Sequence, residues 1–139
     1  MSSALILLAP GFEEIEAVTL IDLLRRAGVT VTVAGLKKQV VCGSHAISIK
    51  ADVYYKKVDP LRFDVLILPG GQPGSSNLKA NAEVLEWVKA RFIRGKKLAA
   101  ICAAPTVLAA AGITKGLKIT SYPSEKEVFK NSIYVEESI

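Results

Sequence analysis

Short apolar runs alternate with amphipathic helical patterns along most of this chain, and no other feature limits its fold so strongly. Strands joined by helix-length crossovers run parallel, and a parallel sheet needs helices on both faces. The strand-like runs are Ala4–Ala9, Val29–Ala34, Asp64–Leu68, Leu98–Ile101 and Leu117–Thr120. A helix is expected over Glu14–Ala27, with Ala17, Leu20, Ile21 and Leu24 on one face and Gly28 just past its end. Asn81 can cap a second helix from Ala82 to about Arg94, turning Val84, Leu85, Val88 and Phe92 inward. A third spans Ala103–Ala111, where Pro105 is tolerated in the first turn and Gly112 closes the helix. Val40–Tyr55 has no helical period and suits short strands or a hairpin. Ser124 is placed as the cap of a short helix before Ile133–Val135. The expected class is α/β: a doubly wound, mostly parallel sheet with helices on both faces.

The 139 residues are expected to form one domain, 1–139, with half of them apolar and 22% charged. Two cysteines make no disulfide framework, so a reducing, cytoplasmic setting is expected. The first apolar run is too short for a membrane span, and no basic segment precedes it. The net charge of +5 is spread out, and its densest run, Arg94-Gly95-Lys96-Lys97, reads as a solvated turn. No aromatic residues interleave with it, which disfavours a nucleic-acid partner.

In an open α/β sheet, ligands bind beyond the carboxyl ends of the strands. Three loops satisfy that condition: Pro10–Glu16, Pro69–Gly74 and Cys102–Ala104. Cys102 ends a strand and precedes a helix, so its sulfur faces backbone N–H groups that favour an anion and lower a thiol pKa. A buried structural cysteine is the alternative. Glu13, Glu14 and Glu16 open the first helix, and Glu13 and Glu14 suit the positive end of its dipole. Glu16 lies on another side. Turned toward the sulfur, it would be desolvated and would take up a proton to donate to a thiolate. Gly70-Gly71 lacks both phosphate-loop spellings. Its backbone can instead approach closely and, with the Ala103 N–H, form an oxyanion hole, or it can be a plain strand-ending turn. The single histidine, His45, is read as a surface residue of the hairpin, so no metal constellation and no cofactor box are seen.

Ala9-Pro-Gly-Phe-Glu-Glu-Ile-Glu16, Leu68-Pro-Gly-Gly71 and Ala100-Ile-Cys-Ala-Ala-Pro105 resemble the ThiJ/PfpI superfamily. Within it they look most like the branch of the parkinsonism-associated protein DJ-one and bacterial YajL. The resemblance runs from Ala4 to about Val135 and implies a flavodoxin-like fold. It implies Cys102 as the reactive, oxidation-sensitive cysteine, Glu16 as its protonated partner, and Gly71 and Ala103 as backbone donors beside the sulfur. It implies no cofactor and a homodimer, with Cys42 matching a cysteine near the dimer contact of some relatives. Protease-like members carry Cys-His at the elbow, but Ala103 follows Cys102 here, and Tyr122 stands where some relatives have a histidine. The only histidine precedes Cys102, so a Cys-His-acid triad and peptidase activity are disfavoured.

The resemblance implies a glyoxalase III or deglycase-type protein acting on methylglyoxal or its early adducts. Cys102 would form a hemithioacetal, Gly71 and Ala103 would hold the oxyanion, and Glu16 would move the proton. The rival expectation is an oxidative-stress sensor or chaperone that works through oxidation of Cys102. Relatives continue past the position of Ile139 with a further strand, a Gly-Pro-Gly segment and a closing helix. An uncovered sheet edge and apolar face are therefore expected, with the absent segment supplied by a separate chain or missing from the sequence record.

Overall fold

The six residues of strand β1 (Ser3–Leu8) are buried on both faces from Ala4 onward, as a central strand of a parallel sheet requires. The computed structural model describes residues 1–137. Beyond β1 lie α1 (Glu14–Arg26), β2 (Thr30–Gly35), β3 (Val40–Cys42), β4 (Ser48–Lys50) and β5 (Val53–Tyr54). Then come β6 (Val65–Leu68), α2 (Gly74–Lys79), α3 (Ala82–Ile93), β7 (Lys97–Ala100) and α4 (Pro105–Ala110). The strands β8 (Lys118–Ile119) and β9 (Ile133–Tyr134) flank a 3-10 stretch, Pro123–Phe129.

The main sheet has the order β5-β2-β1-β6-β7, and every pairing in it is parallel. This is the expected flavodoxin-like α/β arrangement. The chain winds outward from β1 to β5, returns to β6, and winds out the other way to β7. The winding therefore reverses between β1 and β6, where an open α/β sheet leaves a crevice. Along β1, Ala4, Ile6 and Leu8 pack on the α1 side with Val31, Val33, Phe12 and Ala17. Leu5 and Leu7 pack on the other side with Leu66, Leu68, Leu78, Val88 and Val107 from β6, α2, α3 and α4. Each such fully buried Leu or Ile is worth about 1.5–3 kcal/mol over exposure.

Several boundaries and faces differ from the sequence expectation. Phe92 does not point inward: it is 44% exposed, while Trp87 and Arg91 are buried beside Val84 and Val88. The core face of α3 thus follows the i, i+3, i+4, i+7 positions from Val84, and Phe92 lies one step around from it. Arg91 is wholly buried. Its guanidinium donates to the carbonyls of Pro60, Phe63 (3.0 Å), Asp64 (2.9 Å) and Lys97 (2.8 Å), tying α3 to the N-terminal ends of β6 and β7.

The elbow helix starts at Pro105, not Ala103, because residues 102–104 form the turn itself; Ala104 N–H donates to the Ile101 carbonyl at 3.0 Å. Ile101 falls outside β7 and is 44% exposed. Ser124 caps nothing, since Tyr122 holds the N-cap position of the 3-10 stretch without a side-chain bond. The helix α2 was not expected at all, because Gly-Ser-Ser-Asn-Leu-Lys offers one apolar residue and no period.

Beside the free edge of β7 runs an open groove of about 450 Å³, lined by Phe92, Leu98, Ala100, Leu108, Ile113 and Leu117. Among the described residues, no strand pairs with that edge. Residues 138 and 139, at the end of the Glu136–Ile139 segment, lie outside the described residues. Among those described, no helix is long and apolar enough to cross a membrane.

Candidate active site

The three loops singled out from sequence converge at the crevice. The Glu13 N–H donates to the Gly70 carbonyl at 2.9 Å, and the Gly74 N–H donates to the Gly11 carbonyl at 3.1 Å. The Asn77 side-chain amide donates to the Pro10 carbonyl at 2.8 Å. A fourth loop joins them: the Tyr122 N–H donates to the Cys102 carbonyl at 2.6 Å. Sequence reasoning missed this contact, because a backbone donor leaves no residue-type signal.

Cys102 sits at φ +60°, a left-handed conformation that a non-glycine residue adopts at a penalty of about 1–3 kcal/mol. That conformation swings the side chain out of strand direction and into the crevice, as at a nucleophile elbow. The half-buried sulfur meets the Glu16 carboxyl and the N–H groups of Ala103 and Gly71. All four residues picked for the site therefore stand together. Gly70 belongs with them, since its N–H donates to Glu16 Oε2 at 2.7 Å. A Cβ on Gly70 would lie 2.7 Å from the Cys102 Cβ and 2.7 Å from Glu16 Oε2, so only glycine fits between the carboxyl and the elbow. Gly71 turns at φ +93°, a conformation that favours glycine, and its N–H is among the groups that lower the thiol.

The electrostatics correct the simple expectation of a lowered thiol. Burial pushes the Cys102 thiol up, and the adjacent Glu16 carboxylate pushes the same way; the Ala103 and Gly71 N–H groups pull it only partly back. The contribution from Glu16 lasts only while that carboxyl is ionised.

Glu14 is a second correction, for it does more than complement the helix dipole. It is 5% exposed and faces the turn between β3 and β4. Its Oε2 accepts from the N–H groups of His45 (2.8 Å) and Ile47 (3.2 Å), and its Oε1 accepts from Ser44 Oγ (3.1 Å). Burial alone would raise its pKa, but the N–H groups of Ile47, of Glu14 itself and of His45, with the His45 side chain, hold it down at about 2. Glu13 Oε1 caps α1 by accepting from the Ile15 N–H.

His45 is exposed at the hairpin turn as expected, with Nδ1 3.3 Å from Glu14 and 3.6 Å from Glu13. These three residues are the one group, among the described residues, that places three possible metal ligands within 4.8 Å of one another. The sequence hid it, because His45 is 31 positions from Glu14. The oxygens of Glu14 are already taken by hydrogen-bond donors, so the group reads as a hydrogen-bonded clamp.

A comparison with known proteins matches residues 2–139 to the family described as DJ-1/PfpI. The chain is 44% identical over 138 residues to the dj-1beta protein of Drosophila melanogaster, covering 97% of this chain and 73% of that one. It is 36% identical over 128 residues to a deglycase of Pyrococcus abyssi, covering 92% and 76%. The crystal structure of Drosophila melanogaster DJ-1beta superposes with a TM-score of 0.94 at 44% identity, covering 99% of this chain and 76% of that one. With this fold, this elbow and these matches, the chain belongs to the DJ-1/PfpI family.

Proposed function

We propose that this protein is a cofactor-free, cysteine-dependent enzyme of the deglycase or glyoxalase III type, acting on methylglyoxal or its early adducts. The observation that carries the reading is the meeting of the Cys102 sulfur with one carboxyl, Glu16, and two convergent N–H groups, those of Gly71 and Ala103. A relative named as a deglycase at 36% identity supports the class. Starting from a sulfur anion and a protonated Glu16, Cys102 adds to the aldehyde carbon. A C–S bond forms, the carbonyl π pair moves to oxygen, and that oxygen lies against the Gly71 and Ala103 N–H groups. Glu16 delivers its proton to the oxyanion, giving a neutral hemithioacetal, and can take a proton back as the adduct breaks down.

The test is turnover of methylglyoxal by reduced protein, followed as loss of dicarbonyl and gain of lactate. Cys102→Ser should abolish it, and Glu16→Gln should lower kcat/KM by about a hundredfold or more. Full activity in Cys102→Ser would end the proposal.

A second reading is favoured by the accessibility of the thiol. Cys102 is half-buried and both cysteines are free, so peroxide would carry Cys102 toward sulfinate and make the protein a redox sensor. Turnover that is absent from reduced protein, with clean addition of two oxygens at Cys102, is the outcome that selects it.

We also propose a homodimer through α1 and the hairpin. Ile15 and Val18 on α1 and Val40 and Ile47 on the hairpin are exposed, at 76%, 48%, 57% and 56%. Val18 on α1 and Ile49 on β4 line one hollow, which makes the two elements one continuous face.

A further inference from the structure

We propose that Glu14 is a positioning residue for the Cys102 site: clamped by the turn between β3 and β4, it fixes the Pro10–Glu13 loop and thereby sets where Glu16 and the Gly71 N–H stand against the sulfur. This rests on the reading of Cys102 as the reactive group. Glu14 does not touch the sulfur, and its role follows from a stack of three backbone layers.

The outer layer is the hairpin turn, whose Ser44, His45 and Ile47 donors hold both oxygens of the buried carboxylate. The same hairpin grips the middle layer directly. The Gly11 N–H donates to the Cys42 carbonyl and the Ser44 N–H donates to the Phe12 carbonyl, each at 2.9 Å. The middle layer in turn holds the inner one through the Glu13 N–H on the Gly70 carbonyl and the Gly74 N–H on the Gly11 carbonyl. The inner layer carries the Gly71 donor.

The layers are in contact without slack. A Cβ on Gly43 would overlap the Glu14 side chain, and one on Gly71 would overlap the Glu13 backbone. Glu16 follows Glu14 by two residues in the same helical turn, so a shift of the Glu14 anchor carries the Glu16 carboxyl with it. Close-packed layers transmit such shifts, and outer partners commonly orient the groups that act. The titratable groups facing Glu14 are His45 from the turn and Glu13 from its own loop; the one facing the sulfur is Glu16.

The experiment follows alkylation of Cys102 by iodoacetamide across pH in the full chain, read by mass spectrometry, with melting temperatures on the same samples. The variants are Glu14→Gln and Gly43→Ala, with Arg91→Lys as a destabilised control at the opposite end of the sheet. Both clamp variants should slow Cys102 alkylation at neutral pH by about threefold or more and shift its inflection, since small misplacements of acting groups have disproportionate effects. Arg91→Lys should lower the melting temperature and leave the alkylation profile of wild type. Where Glu14→Gln does not fold, Gly43→Ala decides. A wild-type profile in either folded clamp variant overturns the proposal. Methylglyoxal turnover is measured separately, so loss of the dicarbonyl reading in wild type leaves this comparison valid, because alkylation needs only the thiol.

Discussion

At Cys102 two tendencies oppose each other. Burial and the Glu16 carboxylate push the thiol up, while the Ala103 and Gly71 N–H groups pull it down. The proposed chemistry requires the proton of the pair to reside on Glu16, which turns a repelling charge into a hydrogen-bond donor. Where Glu16 holds that proton, iodoacetamide alkylation of Cys102 is already well developed below pH 8, under the ordinary thiol value of about 8.5, with Cys42 slower. In that case Glu16→Leu removes the donor, and the inflection moves up. Movement down on the same substitution would mean that the sulfur meets the charge of Glu16 and not its proton. The thiol would then gain reactivity only as pH rises past its usual range.

At the scale of elements, the hairpin clamp has a thermodynamic signature. A carboxylate held at about 2 in the folded protein, against 4.5 as its ordinary value, stabilises the fold fully above the higher figure. That contribution is lost as pH falls from the ordinary value through the folded one. Melting temperature measured from pH 5 to pH 2 should therefore fall in wild type, and the Glu14→Gln curve should start lower and converge with it at the acid end. Parallel curves would assign the acid sensitivity to other groups.

The sequence showed Glu14 only as an acid at a helix start, because its partners lie in a turn some thirty residues away whose donors are mostly backbone N–H groups. The strands and α1 were legible, since buried parallel strands are unbroken apolar runs and α1 has a clear period. Trp87 and Arg91 were not. An arginine satisfied by four carbonyls looks in sequence like any surface cation, and it displaced Phe92 from the expected core face. Cys102, Glu16, Gly71 and Ala103 fall in the three loops beyond the carboxyl ends of strands, and it was the resemblance of their motifs to the ThiJ/PfpI superfamily that marked them as a set. The Gly70 and Tyr122 contacts were not legible, being made by main-chain atoms.

For the whole molecule, the sheet separates two jobs. The loops of the candidate site gather at the carboxyl ends of β1, β6 and β7, while the Arg91 cage closes the other end. The exposed apolar face of α1 and the hairpin lies beside the first of these, so association should be testable without disturbing the second. Val18→Lys is expected to shift sedimentation of a dimer toward half its mass while leaving the circular dichroism of the fold intact. An unchanged sedimentation coefficient would place the contact elsewhere.

The left-handed backbone at position 102 also matters for any selection on variants of this chain. Glycine is the one residue that relaxes there, recovering about 1–3 kcal/mol of strain against about 0.5–1 kcal/mol of added chain entropy. A library sorted for folded yield or heat resistance should therefore enrich clones that have discarded the sulfur. Durability and reactivity must be scored together, or the survivors will be inert.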